Sequence, residues 1–319
     1  MEAVNQRTGG QPPPPATKTP RRWNPFRGRV FEDVTMAYLF LLPTLAVMAV
    51  FVFGPIFYAF WVSLHDWPVL GANRPFVGIE NYAYIIGQDE VFRTAFWNSL
   101  YYTLGVVPVQ TVVALGLAIV MNSGIRFRDF FRAAFFVPTV TSSAALAVIF
   151  TLVFSSDPNS IANRFIGLFG FGPLQWYTSA STALETIMFM NIFATVGQFM
   201  VIYLAGLQGV PRQLYEAAAI DGAGWWRRLW YITIPMLKPV TFLIVTLGII
   251  GCWQVFDQIA IITEGGPEFS TLTVVYWIYR EAFRSQEMGT AAAGAFILFV
   301  IIFVTVLIQR RIVGESATE

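Results

Sequence analysis

The chain has 319 residues, of which 56% are hydrophobic types and only 12% are charged. No soluble domain of this size has enough interior to bury so much apolar side chain, so the composition indicates a membrane protein. The single Cys252 and the single His65 exclude a disulfide within the chain and a metal site built from Cys or His clusters. A formal net charge of +1 gives no argument for nucleic-acid binding.

Charged residues divide the chain into apolar stretches that are long enough to cross a bilayer. A membrane helix needs about 20 apolar residues, and a charge at its centre costs several kcal/mol. Five such stretches contain no Asp, Glu, Lys or Arg, and a sixth is interrupted only by Asp257. We therefore predict an all-α, polytopic membrane protein with a transmembrane domain at residues 34–312. Its six transmembrane helices are predicted at about 36–64, 96–121, 134–155, 186–208, 239–262 and 288–309.

The uncharged stretch 165–184 competes with these six spans. Gly, Pro, Ser and Thr interrupt it and its second half is polar, so we predict an external loop with Trp176 and Tyr177 at the membrane interface. If this stretch crossed the membrane instead, the protein would have seven spans and the C-terminus would change sides.

The distribution of Lys and Arg predicts the orientation. With the N-terminus in the cytoplasm, the inner segments hold 15 of the 20 basic residues, which is the bias expected of cytoplasmic loops. We therefore predict that both termini are cytoplasmic. The Pro- and Arg-rich residues 1–33 are predicted to form a disordered cytoplasmic tail, and residues 313–319 a short C-terminal tail.

The segment 210–239 lies between the fourth and fifth predicted spans, on the cytoplasmic side. Pro211 suits the first turn of a helix, and the residues up to Ile220 are mostly good helix formers. Asp221 and Gly222 should end this helix, because glycine readily adopts a positive φ. A second amphipathic piece follows, and we predict two short helices along the membrane surface. The local sequence is compatible with two interpretations of this segment: it anchors on lipid headgroups, or it docks into a groove on a soluble partner.

Four segments in the same order resemble bacterial ABC-importer permeases of the carbohydrate-uptake, MalF/UgpA/SugA type. The segment 210–239 resembles their EAA motif, and its matching positions are Glu216, Ala217, Ala218, Gly222, Ile232, Ile234 and Pro235. The other three are FVGIENY at 76–82, RAAFFVP at 132–138, and TEGGP at 263–267 followed by Thr271 and Tyr276. The chain resembles the first of the two permease subunits.

The resemblance implies a multi-pass permease subunit that moves a sugar or sugar-like solute across the cytoplasmic (inner) membrane of a bacterium or archaeon. The implied partners are a second homologous permease, a dimer of ATP-binding subunits, an extracytoplasmic solute-binding protein, membrane lipid and the sugar, without nucleic acid. The residues implied in ATPase coupling are Glu216, Ala217, Ala218, Asp221, Gly222, Ile232 and Pro235.

The chain has only two lysines, Lys18 and Lys238, and neither follows the Gly-rich pattern that binds nucleotide phosphates. We therefore predict that the chain is not an enzyme and binds no cofactor or metal of its own, with ATP held by the partner subunit.

Polar residues inside the predicted spans are candidates for the translocation path. Asn191 and Gln198 lie seven residues apart and so share one face of span 4, while span 5 contributes Trp253, Gln254 and Asp257. The alternative is that the two amides join helices within the bundle, and that Asp257 lies at a wetted outer mouth. No Lys or Arg lies inside any predicted span, which favours a neutral sugar.

Two other functions are compatible with a polytopic chain. An intramembrane hydrolase would need a nucleophile and a base within the membrane, and the only His lies at the edge of a span. A self-contained secondary carrier or channel would not need an EAA motif, and the two halves of the chain show no strong internal repeat.

Overall fold

The computed structural model describes residues 26–71 and 73–311, with side chains described from Met36 onward. The described residues divide into two compact units, on either side of a boundary between Phe57 and Tyr58. All regular elements within the described ranges are helices.

The first unit contains α1 (Phe26–Met48), a π-helical turn (Ala49–Phe53) and the first residues of α2 (Gly54–Ser63). α1 already includes residues 26–33, which we predicted to belong to a disordered tail. This part of the prediction is wrong because no proline follows Pro25 until Pro43, so nothing interrupts a helix that continues into the apolar run. The rest of the predicted tail and residues 313–319 lie outside the described residues.

The second unit carries the remaining helices. In chain order they are α3 (Glu80–Gly87), α4 (Glu90–Asn122), α5 (Arg128–Val140), α6 (Ser143–Val153), α7 (Ile161–Gly167), α8 (Ala183–Gln208), α9 (Arg212–Ile220), α10 (Trp225–Arg228), α11 (Ile234–Met236), α12 (Lys238–Trp253), α13 (Asp257–Ile262), α14 (Val274–Tyr279) and α15 (Met288–Gln309). Two further π-helical turns follow α10 (Leu229–Thr233) and α14 (Arg280–Arg284).

Five helical stretches in the described chain are long and apolar enough to cross a membrane: Met36–Ser63, Glu90–Asn122, Ala183–Gln208, Lys238–Ile262 and Met288–Gln309. The remaining predicted span, 134–155, falls on α5 and α6, which are bent by 102° with respect to each other. Pro138 lies in the last turn of α5, which ends at Val140, and Thr141 is extended. The described residues thus contain five helical stretches of this kind, or six if the bent pair is counted as one span.

The stretch 165–184 contains the end of α7, a helix of seven residues that is too short to cross a bilayer, and the first two residues of α8. The buried amide of Asn163 organises the loop around it. Its nitrogen donates to the carbonyl of Asp157 at 2.9 Å, and its oxygen accepts from the indole N–H of Trp176 at 2.9 Å. Tyr177 is also buried, so the pair that we predicted at the membrane interface packs against protein.

The central core is formed by α4, which packs against α8 and α12. Small residues let these backbones approach closely, as in many membrane bundles. Ala114 and Ala118 of α4 are fully buried, and Gly248 of α12 leaves room for the side chain of Gln110. The amide oxygen of Gln110 accepts a hydrogen bond from the Thr195 hydroxyl of α8 at 3.0 Å. This packing supports the segment 210–239 at one end of α8 and α12.

Candidate coupling loop and translocation cavity

The coupling loop, residues 210–239, begins with the short helix α9. Pro211 directly precedes the first helical residue, Arg212, and so its missing N–H leaves no hydrogen bond unmade. The helix ends at Ile220, and Gly222 has a φ of +73°, as the sequence predicted. Asp221 occupies the position between them.

Two backbone hydrogen bonds complete the end of α9. The N–H of Ala223 donates to the carbonyl of Ala218 at 2.8 Å, and the N–H of Gly222 donates to the carbonyl of Ala219 at 3.1 Å. This pair of bonds is the Schellman arrangement, which requires a left-handed residue at the glycine position. The turn that follows α9 is therefore a defined shape.

Most of α9 faces outward. Glu216 and Ala217 are exposed, and Ala218 is half-buried. Ile220 at the tip of the helix is 87% exposed. Ile220 was not among the predicted site residues, although its place directly before the predicted turn is a signal in the sequence. The exposed Ile220 side chain thus stands directly before the turn at Gly222.

The second half of the coupling loop consists of α10, the π-helical turn Leu229–Thr233 and α11. Ile232 is half-buried and Pro235 is exposed. Three tryptophans are exposed by half or more: Trp225, Trp226 and Trp230. This half of the loop therefore offers an aromatic surface beside α9, and the interpretation as a headgroup anchor applies to it better than to α9.

A polar cavity of about 200 Å³ lies where the helical stretch Lys238–Ile262 is interrupted. The residues 254–256 separate α12 from α13. The cavity is lined by Asn191, Gly251, Gln254, Val255, Phe256, Asp257 and Gln258. The structure thus brings together three of the five residues that we predicted for the translocation path, Asn191, Gln254 and Asp257.

Two hydrogen-bonding groups of this cavity differ in whether they already have a partner. The carboxylate of Asp257 accepts a hydrogen bond from the Ser143 hydroxyl on α6. The amide oxygen of Gln258 is buried and has no hydrogen-bond partner among the described residues. The sequence analysis missed Gln258, although it lies four residues after Gln254 inside the same predicted span.

The other two predicted path residues lie elsewhere. Trp253 is 1% exposed and packs in the central core, where its ring centroid is 5.8 Å from that of Phe96. Gln198 is exposed and does not line the cavity. The spacing of seven residues placed it on the same face as Asn191, but the polar break in the helical stretch Lys238–Ile262 lies only at the level of Asn191.

Two further motif segments have structural roles. The amide nitrogen of Asn81 donates to the carbonyls of Ser63 and His65 at 2.9 and 3.0 Å, so it satisfies the last carbonyl of α2 and one just beyond the helix. In the loop after α13, the hydroxyls of Thr263 and Thr271 are 2.7 Å apart, and Thr271 donates to the carbonyl of Gly266 at 2.8 Å. These contacts explain why the two segments carry Asn and Thr at these positions.

Comparison with known proteins places the chain in a family. The family described as "Binding-protein-dependent transport system inner membrane component" matches residues 110–314. The chain therefore belongs to this family, whose members are the permease components of ABC importers.

Individual relatives cover nearly the whole chain. It is 34% identical over 315 residues to the arabinooligosaccharides transport system permease protein AraP of Bacillus subtilis, covering 98% of each chain. It is 28% identical over 286 residues to the trehalose/maltose transport system permease protein MalF of Thermococcus litoralis, covering 88% of this chain and 95% of the relative. It is 29% identical over 290 residues to the sn-glycerol-3-phosphate transport system permease protein UgpA of Escherichia coli, covering 90% and 97%.

The fold also matches a solved structure. A chain from a bacterial ABC transporter involved in the import of the acidic polysaccharide alginate superposes with a TM-score of 0.78 at 20% identity, covering 91% of this chain and 100% of that chain. At this level of identity the match establishes the fold.

Proposed function

We propose that this chain is one of two permease subunits of an importer for a neutral sugar or sugar-like solute, and that α9 connects it to a separate ATPase. The observation that carries this proposal is the helix α9 of the coupling loop, which is exposed and ends in a defined turn. It presents Glu216 and Ile220 at the surface, and the chain belongs to the importer family. Neither of its two lysines follows the Gly-rich pattern that binds nucleotide phosphates, so in this proposal ATP acts through the partner subunits.

In the proposed arrangement the chain crosses the inner membrane six times, with the bent pair α5 and α6 counted as one span. Both termini and the coupling loop face the cytoplasm, which agrees with the bias of Lys and Arg in the sequence. The partners are a second homologous permease, a dimer of ATP-binding subunits and an extracytoplasmic solute-binding protein. A related transporter of alginate has been solved in complex with a periplasmic binding protein that carries an alginate pentasaccharide, which supports the last partner.

The chemistry of the cavity favours a neutral solute. Amides and a carboxylate hydrogen-bond sugar hydroxyls well, and none of the described residues that line the cavity is Lys or Arg. An anionic sugar would meet the carboxylate of Asp257 without a compensating cation from this chain. The relatives named for arabinooligosaccharides and for trehalose and maltose are therefore better guides to the substrate than those named for glycerol phosphate.

Ile220 provides the test of the ATPase contact. Burial of an isoleucine side chain in an interface stabilises the complex by about 1.5–3 kcal/mol. Ile220→Ser should therefore weaken binding of the ATPase dimer by roughly tenfold or more. The chain would be co-expressed with its partner subunits and purified through a tag on this chain. The measurement is the amount of ATPase that co-purifies and the ATP hydrolysis that the solute-loaded binding protein stimulates.

Ile161→Ser is the matched control, because Ile161 on α7 is 67% exposed and lies far along the chain from the coupling loop. This variant should retain the native amount of ATPase. Purification of the native chain as a transport-competent protein without any ATPase would contradict the proposal and would indicate a self-contained carrier or channel.

A further inference from the structure

α9 touches the rest of its unit mainly through one side chain. Among its nine residues only Tyr215 and Ala218 are half-buried, and the others are exposed. The hydroxyl of Tyr215 lies 3.0 Å from the hydroxyl of Thr233, in the π-helical turn that leads to α11 and α12. This is the one side-chain hydrogen bond that α9 makes within the described residues.

The direction of this hydrogen bond follows from its second partner. The hydroxyl of Thr233 is also 3.3 Å from the carbonyl of Arg228, which can only accept. Because a hydroxyl carries a single hydrogen, Thr233 donates to Arg228 and accepts from Tyr215. Thr233 is 6% exposed, so loss of the Tyr215 hydroxyl leaves a largely buried acceptor without this partner.

Thr233 is in turn joined to the helix bundle. Its carbonyl accepts from the N–H of Leu237 at 3.0 Å. Leu237 is 1% exposed and belongs to the same buried cluster as Leu207 of α8 and Ile244 of α12. Leu237 thus links Thr233 to α8 and α12 through close-packed side chains.

Behind the hydrogen bond there is a gap. A cavity of about 240 Å³ is lined by Ile119 and Asn122 of α4, Leu207 of α8, and Tyr215 and Thr233 of the coupling loop, among others. The cavity separates α9 from the ends of α4 and α8. The pair Tyr215–Thr233 therefore bridges a space that apolar packing does not fill.

We propose that Tyr215 and Thr233 are positioning residues of the coupling step: their hydrogen bond fixes α9 to the base of α12, so that a movement imposed on α9 reaches the bundle. This inference rests on the proposed function, because it requires α9 to be the ATPase contact. Neither residue touches the nucleotide or the solute.

The experiment measures the number of solute molecules imported per ATP hydrolysed by the complete transporter in proteoliposomes. Tyr215→Phe and Thr233→Val each remove one hydroxyl and keep the shape of the side chain. Loss of one hydrogen bond is expected to lower this ratio by roughly threefold to tenfold. The double variant should be no worse than either single variant, since both remove the same interaction. Thr233→Ser keeps the hydroxyl and should retain at least half of the native ratio.

Tyr231→Phe is the matched control. Tyr231 lies in the same π-helical turn, is 80% exposed, and its hydroxyl makes no hydrogen bond within the described residues. This variant should import as many solute molecules per ATP as the native protein.

Two results would overturn the inference. One is an unchanged ratio in Tyr215→Phe, and the other is a parallel loss of co-purified ATPase and of basal ATP hydrolysis, which would indicate a purely structural role. Failure of the proposed function would look different, because the native transporter would then show no solute-stimulated ATP hydrolysis at all.

Discussion

At the scale of single residues, Gly222 determines the path of the chain after α9. Its φ of +73° is a left-handed conformation that costs a β-branched residue at least about 1–2 kcal/mol. A Cβ at this position would meet nothing within 4 Å, so the cost of a side chain lies in the backbone conformation and not in a clash. The turn therefore depends on the backbone freedom of glycine.

Gly222→Val should uncouple hydrolysis from uptake. The substitution moves the end of α9 out of its Schellman arrangement, so we expect ATP hydrolysis to continue while solute import per ATP falls several-fold. Gly224→Val is the control: Gly224 has φ −68° and ψ 172°, which valine adopts without strain, and a Cβ there is also free of contacts. Equal import by the two variants, measured in the same proteoliposomes, would contradict this account of the turn.

A substitution of Asn191 tests whether the solute binds in the cavity. The side chain is 9% exposed and lines the polar break between α12 and α13. Removal of one hydrogen-bonding group to the solute costs about 0.5–1.5 kcal/mol, so Asn191→Ala should raise the KM for uptake by roughly twofold to tenfold. Gln198→Ala should leave the KM unchanged, since Gln198 does not line the cavity. The reverse pattern would place the path at the level of Gln198 on α8, away from the break between α12 and α13.

At the scale of elements, two of the predicted spans are broken, and both breaks are rich in polar contacts. Where a helix is interrupted inside a membrane, the freed backbone N–H and C=O groups must hydrogen-bond to protein or to water in a cavity. At the break after α12, the Thr273 hydroxyl donates to the carbonyl of Val255 at 3.2 Å. At the break after α5, Ser143 donates to Asp257. The two broken spans are thus joined to each other, beside the cavity.

The contact between α5 and α8 depends on Gly197. A Cβ at this position would collide with the carbonyl oxygen of Phe135 on α5, and a backbone atom cannot rotate away. Overpacking of this kind costs about 1–3 kcal/mol, so Gly197→Ala should lower the melting temperature of the purified protein by several degrees.

Gly116→Ala on α4 is the control for this experiment, because a Cβ there meets nothing within 4 Å. Alanine also has the higher helix propensity, so this variant should melt at the native temperature or slightly above. Equal melting temperatures for Gly197→Ala and Gly116→Ala would show that α5 and α8 can move apart without loss of stability.

At the scale of the whole molecule, the chain presents one side of the proposed pathway. Gln254 and Asp257 line the cavity yet are exposed. In the proposed transporter the second permease would supply the opposite wall and cover these groups. Solute selection would then depend on both permeases together.

The proposed topology can be tested by labelling with a membrane-impermeant maleimide. Cys252 is 2% exposed and should not react, so it can remain in place. Asn159→Cys in the loop before α7 should be labelled in intact cells, whereas Gln213→Cys on α9 should be labelled only after lysis. Both positions are exposed in the structure. Labelling of Gln213→Cys in intact cells would place the coupling loop outside and would contradict the proposed contact with the ATPase.

The sequence by itself determined the class of protein, the number of apolar stretches and the shape of α9. These features depend on composition, on the spacing of charges and on local rules for Pro and Gly, all of which act over a few neighbouring residues. The same rules located the end of α9 at Ile220 and the positive φ of Gly222. They also marked Asn191, Gln254 and Asp257 as polar residues inside apolar stretches.

Only the tertiary structure decided which of these residues meet. Asn191, Gln254 and Asp257 come together because α12 breaks at 254–256 beside α8, and helical spacing along one segment carries no information about the break in another. The burial of Trp253, the exposure of Ile220 and the hydrogen bond between Tyr215 and Thr233 have the same origin. Each depends on the distance between side chains that are remote along the chain or on opposite sides of a turn, and that distance is set by packing.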